Sequence, residues 1–209
     1  MEREGKLAEL VGKIRSVSMR EIRAMSLRSD DRIILAKRHQ LFPVSPQEVD
    51  VISIRRATVE DADLLRTMIR ELAEFECELD SVSITEADLV RDGFGADPKF
   101  RAVIAEWDRQ AAGYAFFFGF YSTWQGPQLF LEDLFVRPQF RGKGIGKALL
   151  GYVANIAKNE NCRAMRWEVL NWNKSAIELY KSLGATFLDD WRLVLLPSEG
   201  VQRLAEKAA

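Results

Sequence analysis

One stretch, residues 129–147, constrains the fold of this chain more than any other. Its first half, 129–136, is apolar except for the adjacent acids Glu132 and Asp133, and it predicts a buried strand. Its second half places three glycines among cations and opens an apolar helical pattern that ends near Asn159. Because backbone N–H groups at a glycine-rich helix N-terminus bind phosphate, the stretch predicts an anion site directly after a strand with two acids.

Bulk properties exclude several classes of protein. The 209 residues suffice for one domain with a real core, and the net charge of −1 provides no overall attraction for nucleic acid or an anionic membrane. No apolar run is long enough to cross a bilayer, and the acidic N-terminus is not a secretory signal. Two distant cysteines, Cys77 and Cys162, favour a cytoplasmic location. With His39 as the only histidine, no metal site is expected.

The sequence pattern divides the chain into three parts. Residues 1–50 form an N-terminal extension, because mixed charges and a short helical spacing at 7–14 precede a two-proline linker at 41–46. This extension is either partly helical or disordered, or it is a helix that binds a partner. Residues 51–197 form the main domain, and residues 198–209 form a C-terminal tail.

Hydrophobic periodicity in the main domain predicts the order β, α, α, β, β, β, α, β, α, β. The predicted strands cover 51–55, 100–107, 111–121, 129–136, 164–170 and 191–196. Thr58 and Thr85 are N-cap signals for the first two helices. The strand at 111–121 is unusually aromatic, and the acidic strand at 129–136 is the central one.

The glycine turn matches none of three familiar phosphate-binding motifs. The P-loop pattern fails because Arg141 stands where its first glycine belongs and Ala148 follows Lys147. The dinucleotide pattern begins at Gly142 and Gly144 but meets Lys147 at the position of its third glycine. A kinase loop is excluded because too little chain follows for the catalytic segments.

The turn Arg141-x-x-Gly144-x-Gly146 instead resembles the acyl-CoA pyrophosphate motif of the GNAT N-acetyltransferases. Residues 52–196 resemble that superfamily as a whole, and more narrowly its diamine (spermidine/spermine) and thialysine acetyltransferases. The narrower resemblance rests on motifs at 70–76, 92–95, 121–124, 131–136, 141–146, 172–173, 180–181 and 183–185. It implies an α/β (α+β) fold whose central, mixed and mostly antiparallel sheet has six or seven strands. Helices cover both faces, and the sheet splays after its fourth strand.

The resemblance also implies acetyl-CoA as co-substrate, a homodimer and a donor site. Backbone groups at 134–136 would pair with the pantetheine arm like an added strand. The donor residues implied are Leu134, Phe135, Val136, Arg141, Gly142, Lys143, Gly144, Ile145, Gly146, Lys147, Asn173 and Ser175. The alternatives are that the glycines only make a tight turn and that Asn173 and Ser175 are plain helix N-caps.

The chemistry requires an acid and a base. An alkylammonium has a pKa near 10, so a carboxylate must take a proton before the nitrogen attacks. Adjacent residues of an unbroken strand face opposite sides, so Glu132 and Asp133 cannot share this role. The resemblance assigns it to Glu132 and leaves Asp133 a structural hydrogen bond or ion pair. It assigns Tyr180 as the general acid, although a tyrosine at helical spacing is ordinarily a core residue.

The sequence constrains the site of the acceptor amine less than it constrains the donor site. The residues implied to bind the substrate amine are Phe75, Glu76, Ser122, Trp124, Glu132, Glu168 and Trp191. The chain departs from the polyamine enzymes at Ser122, where they carry aspartate, and at Glu74, where they carry lysine. A smaller amine, or an amino acid with a side-chain amine, is therefore expected rather than spermidine.

The function predicted is a small-molecule N-acetyltransferase that works by direct attack in a ternary complex. One alternative is a GNAT enzyme that acetylates a protein lysine or N-terminus. The other is a catalytically silent acyl-CoA-binding module. No nucleic acid or membrane partner is expected.

Overall fold

The computed structural model describes residues 33–36 and 51–208. The described strands form one six-stranded sheet in the order β1-β2-β3-β4-β5-β6. They are β1 (Ile33–Ala36), β2 (Val51–Arg56), β3 (Arg101–Trp107), β4 (Gln110–Ser122), β5 (Gly126–Val136) and β6 (Met165–Arg166). Neighbouring strands are antiparallel except β5 and β6, which run parallel. The helical spacing noted at 7–14 lies outside the described residues.

Five α-helices accompany the sheet in the described part of the chain. They are α1 (Ala62–Phe75), α2 (Glu86–Phe94), α3 (Ile145–Asn159), α4 (Lys174–Ser182) and α5 (Ser198–Ala208). The predicted cap of α2 is confirmed, because Thr85 Oγ1 accepts a hydrogen bond from the Asp88 backbone N–H at 3.2 Å. Thr58 caps the short 3₁₀ turn Val59–Asp61 that leads into α1. None of the described helices combines the length and apolar character that crossing a bilayer requires.

One hydrophobic cluster joins α1 and α2 to the sheet. Leu65 and Met68 of α1 and Leu89 of α2 are fully enclosed. Their partners in and beside the sheet are Phe100, Ala102, Ile104, Tyr114 and Phe135. Burying a side chain of this size contributes about 1.5–3 kcal/mol. The cluster therefore fixes one face of β3, β4 and β5 against the first two helices.

Helix α3 covers the opposite face. Val103 and Ala105 of β3 alternate with Ala102 and Ile104, and all four are buried, so both faces of this strand are covered. Helix α3 contributes five buried side chains and packs against β4 and β5. The predicted arrangement, with helices on both faces of a mixed and mostly antiparallel sheet, is confirmed.

Three strands differ from their prediction. The strand predicted at 164–170 is reduced to β6, which pairs with β5 only at Leu129 and Phe130. The strand predicted at 191–196 is absent from the described residues, and Val194 is 87% exposed. Conversely, β1 pairs with β2 although the sequence pattern did not predict it. Apolar, β-branched composition favours a strand only where a neighbouring strand accepts its hydrogen bonds.

The chain separates into two compact units. The first ends at Glu168 and contains the sheet with α1, α2 and α3. The second covers Val169–Ala209 and contains α4 and α5.

Candidate active site

A β-bulge in β5 sets the position of Glu132. Phe117 pairs with Leu131 and Phe116 pairs with Asp133, so Glu132 is an extra residue without a partner in β4. The Glu132 side chain is exposed, whereas Leu131 is buried. A bulge bends its strand and re-aims the neighbouring side chains. The opposite-face rule for an unbroken strand therefore does not apply here, and the bulge presents the Glu132 carboxylate to solvent.

Asp133 is held from the neighbouring strand. Its Oδ2 accepts a hydrogen bond of 2.8 Å from the Tyr114 hydroxyl. Tyr114 is fully buried, and its ring centroid lies 6.2 Å from that of Phe135. The structural hydrogen bond expected for Asp133 is confirmed, and its donor is a buried phenol.

Four carboxyl groups of the first unit, Glu76, Glu132, Asp133 and Glu168, form what we call the acidic cluster. Partial burial, followed by the charges of Asp133 and Glu168, raises the pKa of Glu132. Burial raises the pKa of Asp133 to about 6, the Tyr114 hydrogen bond opposes this, and the charge of Glu76 adds to it. Like charges in one place favour a bound cation or proton. Among the described residues, no three His, Cys, Asp or Glu side chains are grouped as a metal site would require.

The glycine turn combines two left-handed residues with a helix N-terminus. Gly142 has φ of 74° and Gly144 has φ of 87°, a region that favours glycine. A Cβ atom at either position would meet no heavy atom within 4 Å, so the requirement is conformational rather than spatial. The Gly144 carbonyl accepts from the Ala148 N–H at 3.0 Å and starts α3. The N–H groups of the first helical turn, 145–147, have no intrahelical partner and are available to an anion.

A cavity of about 320 Å³ lies between α1 and the end of β5. Its lining includes Glu71, Glu74, Phe75, Phe135, Arg137 and Arg141. The Arg141 guanidinium lies 4.5 Å from the centroid of the Phe75 ring, and its Nε donates to the Val136 carbonyl at 3.0 Å. The structure therefore brings predicted donor residues, Phe135, Val136 and Arg141, together with the predicted acceptor residue Phe75.

The second half of β5 has an open edge. Strand β6 pairs with β5 only at Leu129 and Phe130. From Leu131 to Val136, the side of β5 away from β4 has no strand partner in the part of the chain that the structure describes. The predicted splay of the sheet after this strand is confirmed. An extended ligand adds to a sheet only where such an edge is open, so the pairing of a pantetheine arm with 134–136 stays a prediction that the geometry permits.

Ser122 and Trp124 lie at the far end of the β4–β5 hairpin. Ser122 pairs with Gly126, and a rise of about 3.3 Å per residue puts Glu132 roughly 20 Å along the strand. The Ser122 hydroxyl accepts hydrogen bonds from the backbone N–H groups of Trp124 and Gln125, each at 3.3 Å. The Trp124 side chain is 84% exposed. Within one chain, the structure does not bring these two predicted acceptor residues to Glu132.

Four predicted site residues belong to the second unit. Asn173 caps α4, because its Oδ1 accepts from the Ala176 N–H at 3.2 Å. Ser175 is exposed in the first turn of that helix, and Trp191 is 70% exposed. Tyr180 is buried, and this burial raises the pKa of its phenol. The alternative role of Asn173, that of a helix N-cap, is thus observed, and its contact with CoA stays a prediction. The Tyr180 hydroxyl stays protonated at neutral pH.

Several interactions near the site were not predicted. Arg137 donates from Nε and Nη2 to the two carboxylate oxygens of Glu71, at 2.7 and 2.8 Å, on the wall of the cavity. The Lys143 ammonium lies 4.2 Å from the centroid of the Trp107 ring. The sequence identified Tyr114 only as one aromatic residue of a strand. A hydrophobic pattern shows which side chains are buried, but it does not show which distant group a lone arginine or tyrosine meets.

Comparison with known proteins agrees with this geometry. Residues 65–185 match the sequence profile described as the acetyltransferase (GNAT) family. The chain is 40% identical over 167 residues to a thialysine N-epsilon-acetyltransferase of Sus scrofa, covering 75% of this chain and 98% of that protein. It is 41% identical over 163 residues to the Mus musculus protein of the same name, covering 73% of this chain and 96% of that protein.

Solved structures share the fold. An integron cassette protein from the mobile metagenome of V. cholerae superimposes with a TM-score of 0.61 at 25% identity, covering 74% of this chain and 98% of that one. An aminoglycoside N-acetyltransferase in complex with CoA superimposes with a TM-score of 0.58 at 22% identity, covering 74% and 99%. With the profile match spanning the strand, the glycine turn and the helix described above, this chain belongs to the acetyltransferase (GNAT) family and is an acetyl-transfer enzyme.

Proposed function

We propose that the protein transfers the acetyl group of acetyl-CoA to the primary amine of a small cationic molecule. The observation that carries this proposal is the acidic cluster, two of whose members, Glu132 and Asp133, lie at the bulge of β5 in the strand that leads to the glycine turn. Grouped carboxylates attract an ammonium group, and Glu132, the extra residue of the bulge, is proposed to take its proton. The similarity to thialysine acetyltransferases supports an amino acid with a side-chain amine as the acceptor.

The donor site is proposed at the glycine turn. Amides of the first turn of α3 donate to the pyrophosphate, and the nearby cations Arg141, Lys143 and Lys147 add charge pairing. The pantetheine arm runs along the open edge at Leu134–Val136, which leads from the turn towards Glu132. Asn173 and Ser175 complete the donor contacts. Homodimer formation and a cytoplasmic location stay predictions.

The reaction proceeds by direct attack in a ternary complex. Glu132 takes a proton from the ammonium, the free amine attacks the thioester carbonyl, and the C–S bond then breaks as the amide forms. Tyr180 gives its proton to the departing thiolate, and the second proton that the nitrogen loses as the amide forms restores the phenol. The raised pKa of Glu132 strengthens it as a proton acceptor, and the raised pKa of Tyr180 keeps the phenol protonated until it is needed.

We propose that the acceptor site binds the ammonium group that reacts and provides little binding for a distal one. Glu76 belongs to the acidic cluster, whereas the Ser122 hydroxyl carries no charge and is engaged by the backbone of its own loop. Position 122 therefore offers no carboxylate that could hold the distal end of a long polyamine. Thialysine-like amino acids are expected to be better acceptors than spermidine.

The test is consumption of acetyl-CoA by the full-length protein with thialysine, lysine, ornithine, spermidine and a lysine-containing peptide. We expect the highest kcat/KM with an amino acid that bears a side-chain amine. Acetylation of the peptide alone would contradict a small-molecule acceptor. If the wild-type protein acetylated none of these amines, the proposed function would be refuted.

The role of Glu132 is tested by Glu132→Gln. We expect kcat/KM to fall by about 10²-fold or more near neutral pH, because the amide cannot take the proton. The deficit should shrink as the pH approaches the amine pKa near 10, where free amine needs no base. Glu178→Gln is the matched control, since that exposed glutamate of α4 pairs with Lys181 and not with the acidic cluster. Equal rates of Glu132→Gln and wild type at every pH would remove Glu132 as the base.

A further inference from the structure

Asp133 is a carboxyl that the proposed mechanism does not use. It is more enclosed than Glu132, and within the described part of the chain the groups that act on it are the Tyr114 hydroxyl and the Glu76 carboxylate. Neither group is a cation. A carboxylate that is enclosed without a cationic partner costs free energy, even when one hydrogen bond compensates part of it. A packing role alone would be served better by an apolar side chain, so the acid calls for another explanation.

The Tyr114–Asp133 hydrogen bond ties together the two strands that form the bulge. Asp133 is the first residue after Glu132, and it restores the pairing of β5 by facing Phe116 of β4. Tyr114 lies two residues before Phe116 in β4. Its side chain belongs to the hydrophobic cluster that α1 and α2 form with the sheet. The 2.8 Å bond between the two side chains therefore anchors the bulge next to Glu132. Loss of the anchor would let the extra residue move along the strand.

The charge of Asp133 also acts on Glu132. Among the described residues, the titratable groups that interact electrostatically with Glu132 are Asp133, Glu168 and Tyr114, and those that interact with Asp133 are Tyr114 and Glu76. A negative charge on the adjacent residue makes a second carboxyl hold a proton more tightly. A base that holds its proton more tightly removes that proton more readily from an ammonium group.

We propose that Asp133, anchored by Tyr114, is a positioning residue for the proton transfer: it fixes the bulge that presents Glu132 and keeps a negative charge beside it. The inference rests on the proposed function, because Asp133 acts through Glu132 in that reaction. The bond that breaks is the amine N–H bond, and the bond that forms is the O–H bond on Glu132. Asp133 itself takes no proton from the substrate.

The test is Asp133→Asn in the full-length enzyme, with thialysine as acceptor. Asparagine keeps an oxygen for the Tyr114 hydroxyl but removes the charge. We expect the acid limb of kcat/KM against pH to shift to lower pH by about one unit or more, and the plateau to fall several-fold. A merely structural role would lower the rate equally at every pH. The matched control is Asp97→Asn, which removes an exposed charge that pairs with Lys99 and should leave the limb unmoved.

A direct titration provides a readout that does not depend on turnover. With ¹³C-carboxyl-labelled glutamate, the NMR signal lost in Glu132→Gln reports the titration of Glu132. In wild type we expect two inflections, because coupled carboxyls titrate as a pair. In Asp133→Asn we expect one inflection at lower pH.

The inference is supported when the acid limb and the NMR midpoint move to lower pH together. It is overturned if either stays where it is in wild type, or if wild-type Glu132 shows one inflection only. This last result is measured on the wild-type protein. The inference can therefore be overturned even if the Asp133→Asn protein folds poorly. Failure of the proposed function would look different, because the wild-type enzyme itself would acetylate none of the amines.

Discussion

The Tyr114–Asp133 pair places an acid where burial disfavours its charge. Because the pKa of Asp133 is raised to about 6, above the value near 3.9 of an unfolded chain, folding takes up a proton between these two values. Asp133 therefore costs the most stability above pH 6, and this cost disappears as the pH falls below about 4. A residue that is retained at such a cost is typical of an active site.

For Asp133→Asn we predict that the free energy of unfolding rises by about 2 kcal/mol at pH 7. The reason is that the variant keeps the hydrogen-bond acceptor but buries no charge. At pH 3.5 the difference should vanish, since Asp133 is then neutral in both states. Urea unfolding at the two pH values measures both quantities. A variant less stable than wild type at pH 7 would show that the ionised hydrogen bond outweighs the burial of the charge.

The glycine turn and α3 act as one element, because the φ values of Gly142 and Gly144 determine where the first-turn amides point. Space is not limiting at Gly144, where an added Cβ would meet no atom within 4 Å. Its left-handed conformation is limiting, since it costs other residues about 1–2 kcal/mol. A side chain there should either strain the turn or turn the amides away from the phosphate.

For Gly144→Ala we predict a rise of about tenfold in the KM for acetyl-CoA, equal to the loss of roughly 1.4 kcal/mol of donor binding. Steady-state kinetics with varied acetyl-CoA measures it. The matched control is Gly151→Ala on α3, where the added Cβ also meets nothing within 4 Å and φ is not positive. The control should keep the KM and gain about 0.5–1 kcal/mol of stability. A wild-type KM in Gly144→Ala would contradict a donor site at this turn.

Across the first unit, Arg55 of β2 joins strands and helix. Its Nη1 and Nη2 donate to Asp61, at the start of α1, at 2.6 and 2.8 Å, and its Nε donates to Glu106 of β3 at 2.8 Å. Burial tends to raise the pKa of Asp61, but the hydrogen bonds from Arg55 and Thr58 outweigh it and lower that pKa. A depressed pKa means that Asp61 contributes stability above its unfolded value near 3.9 and loses it as the pH falls through the folded value.

For Arg55→Met we predict a loss of about 3 kcal/mol in the free energy of unfolding at pH 7, because the buried Asp61 and the half-buried Glu106 lose the Arg55 guanidinium. Urea unfolding at pH 7 and pH 3 should show a smaller loss at the lower pH, where the carboxyls are protonated. Arg91→Met is the matched control, since Arg91 also contacts two carboxylates, Asp88 and Asp92, but lies at the surface. A loss as large for Arg91 as for Arg55 would contradict the role of burial.

Much of the fold was predictable because its signals are local. The Thr85 cap of α2 depends on residues three apart, and the glycine turn that starts α3 depends on backbone freedom at single positions. The apolar run at 129–136 gave the strand β5, and its resemblance to a known motif gave the family. These features persist whatever the rest of the chain does, because each is set by neighbours along the sequence.

Strand pairing and side-chain partners could not be predicted in this way. The run at 191–196 has strand composition but forms no strand in the described part of the chain, whereas Ile33–Ala36 pairs with β2 without a comparable signal. The bulge at Glu132 arises from the register of β5 against β4, and the Tyr114 hydroxyl reaches Asp133 across that register. The residues alone thus determined the strand, the anion-binding turn and the presence of two acids. The different positions of the two acids, Glu132 in the bulge and Asp133 bonded to Tyr114, were decided by the tertiary structure. The reason is that a register is fixed by contacts between strands and not by the spacing within one of them.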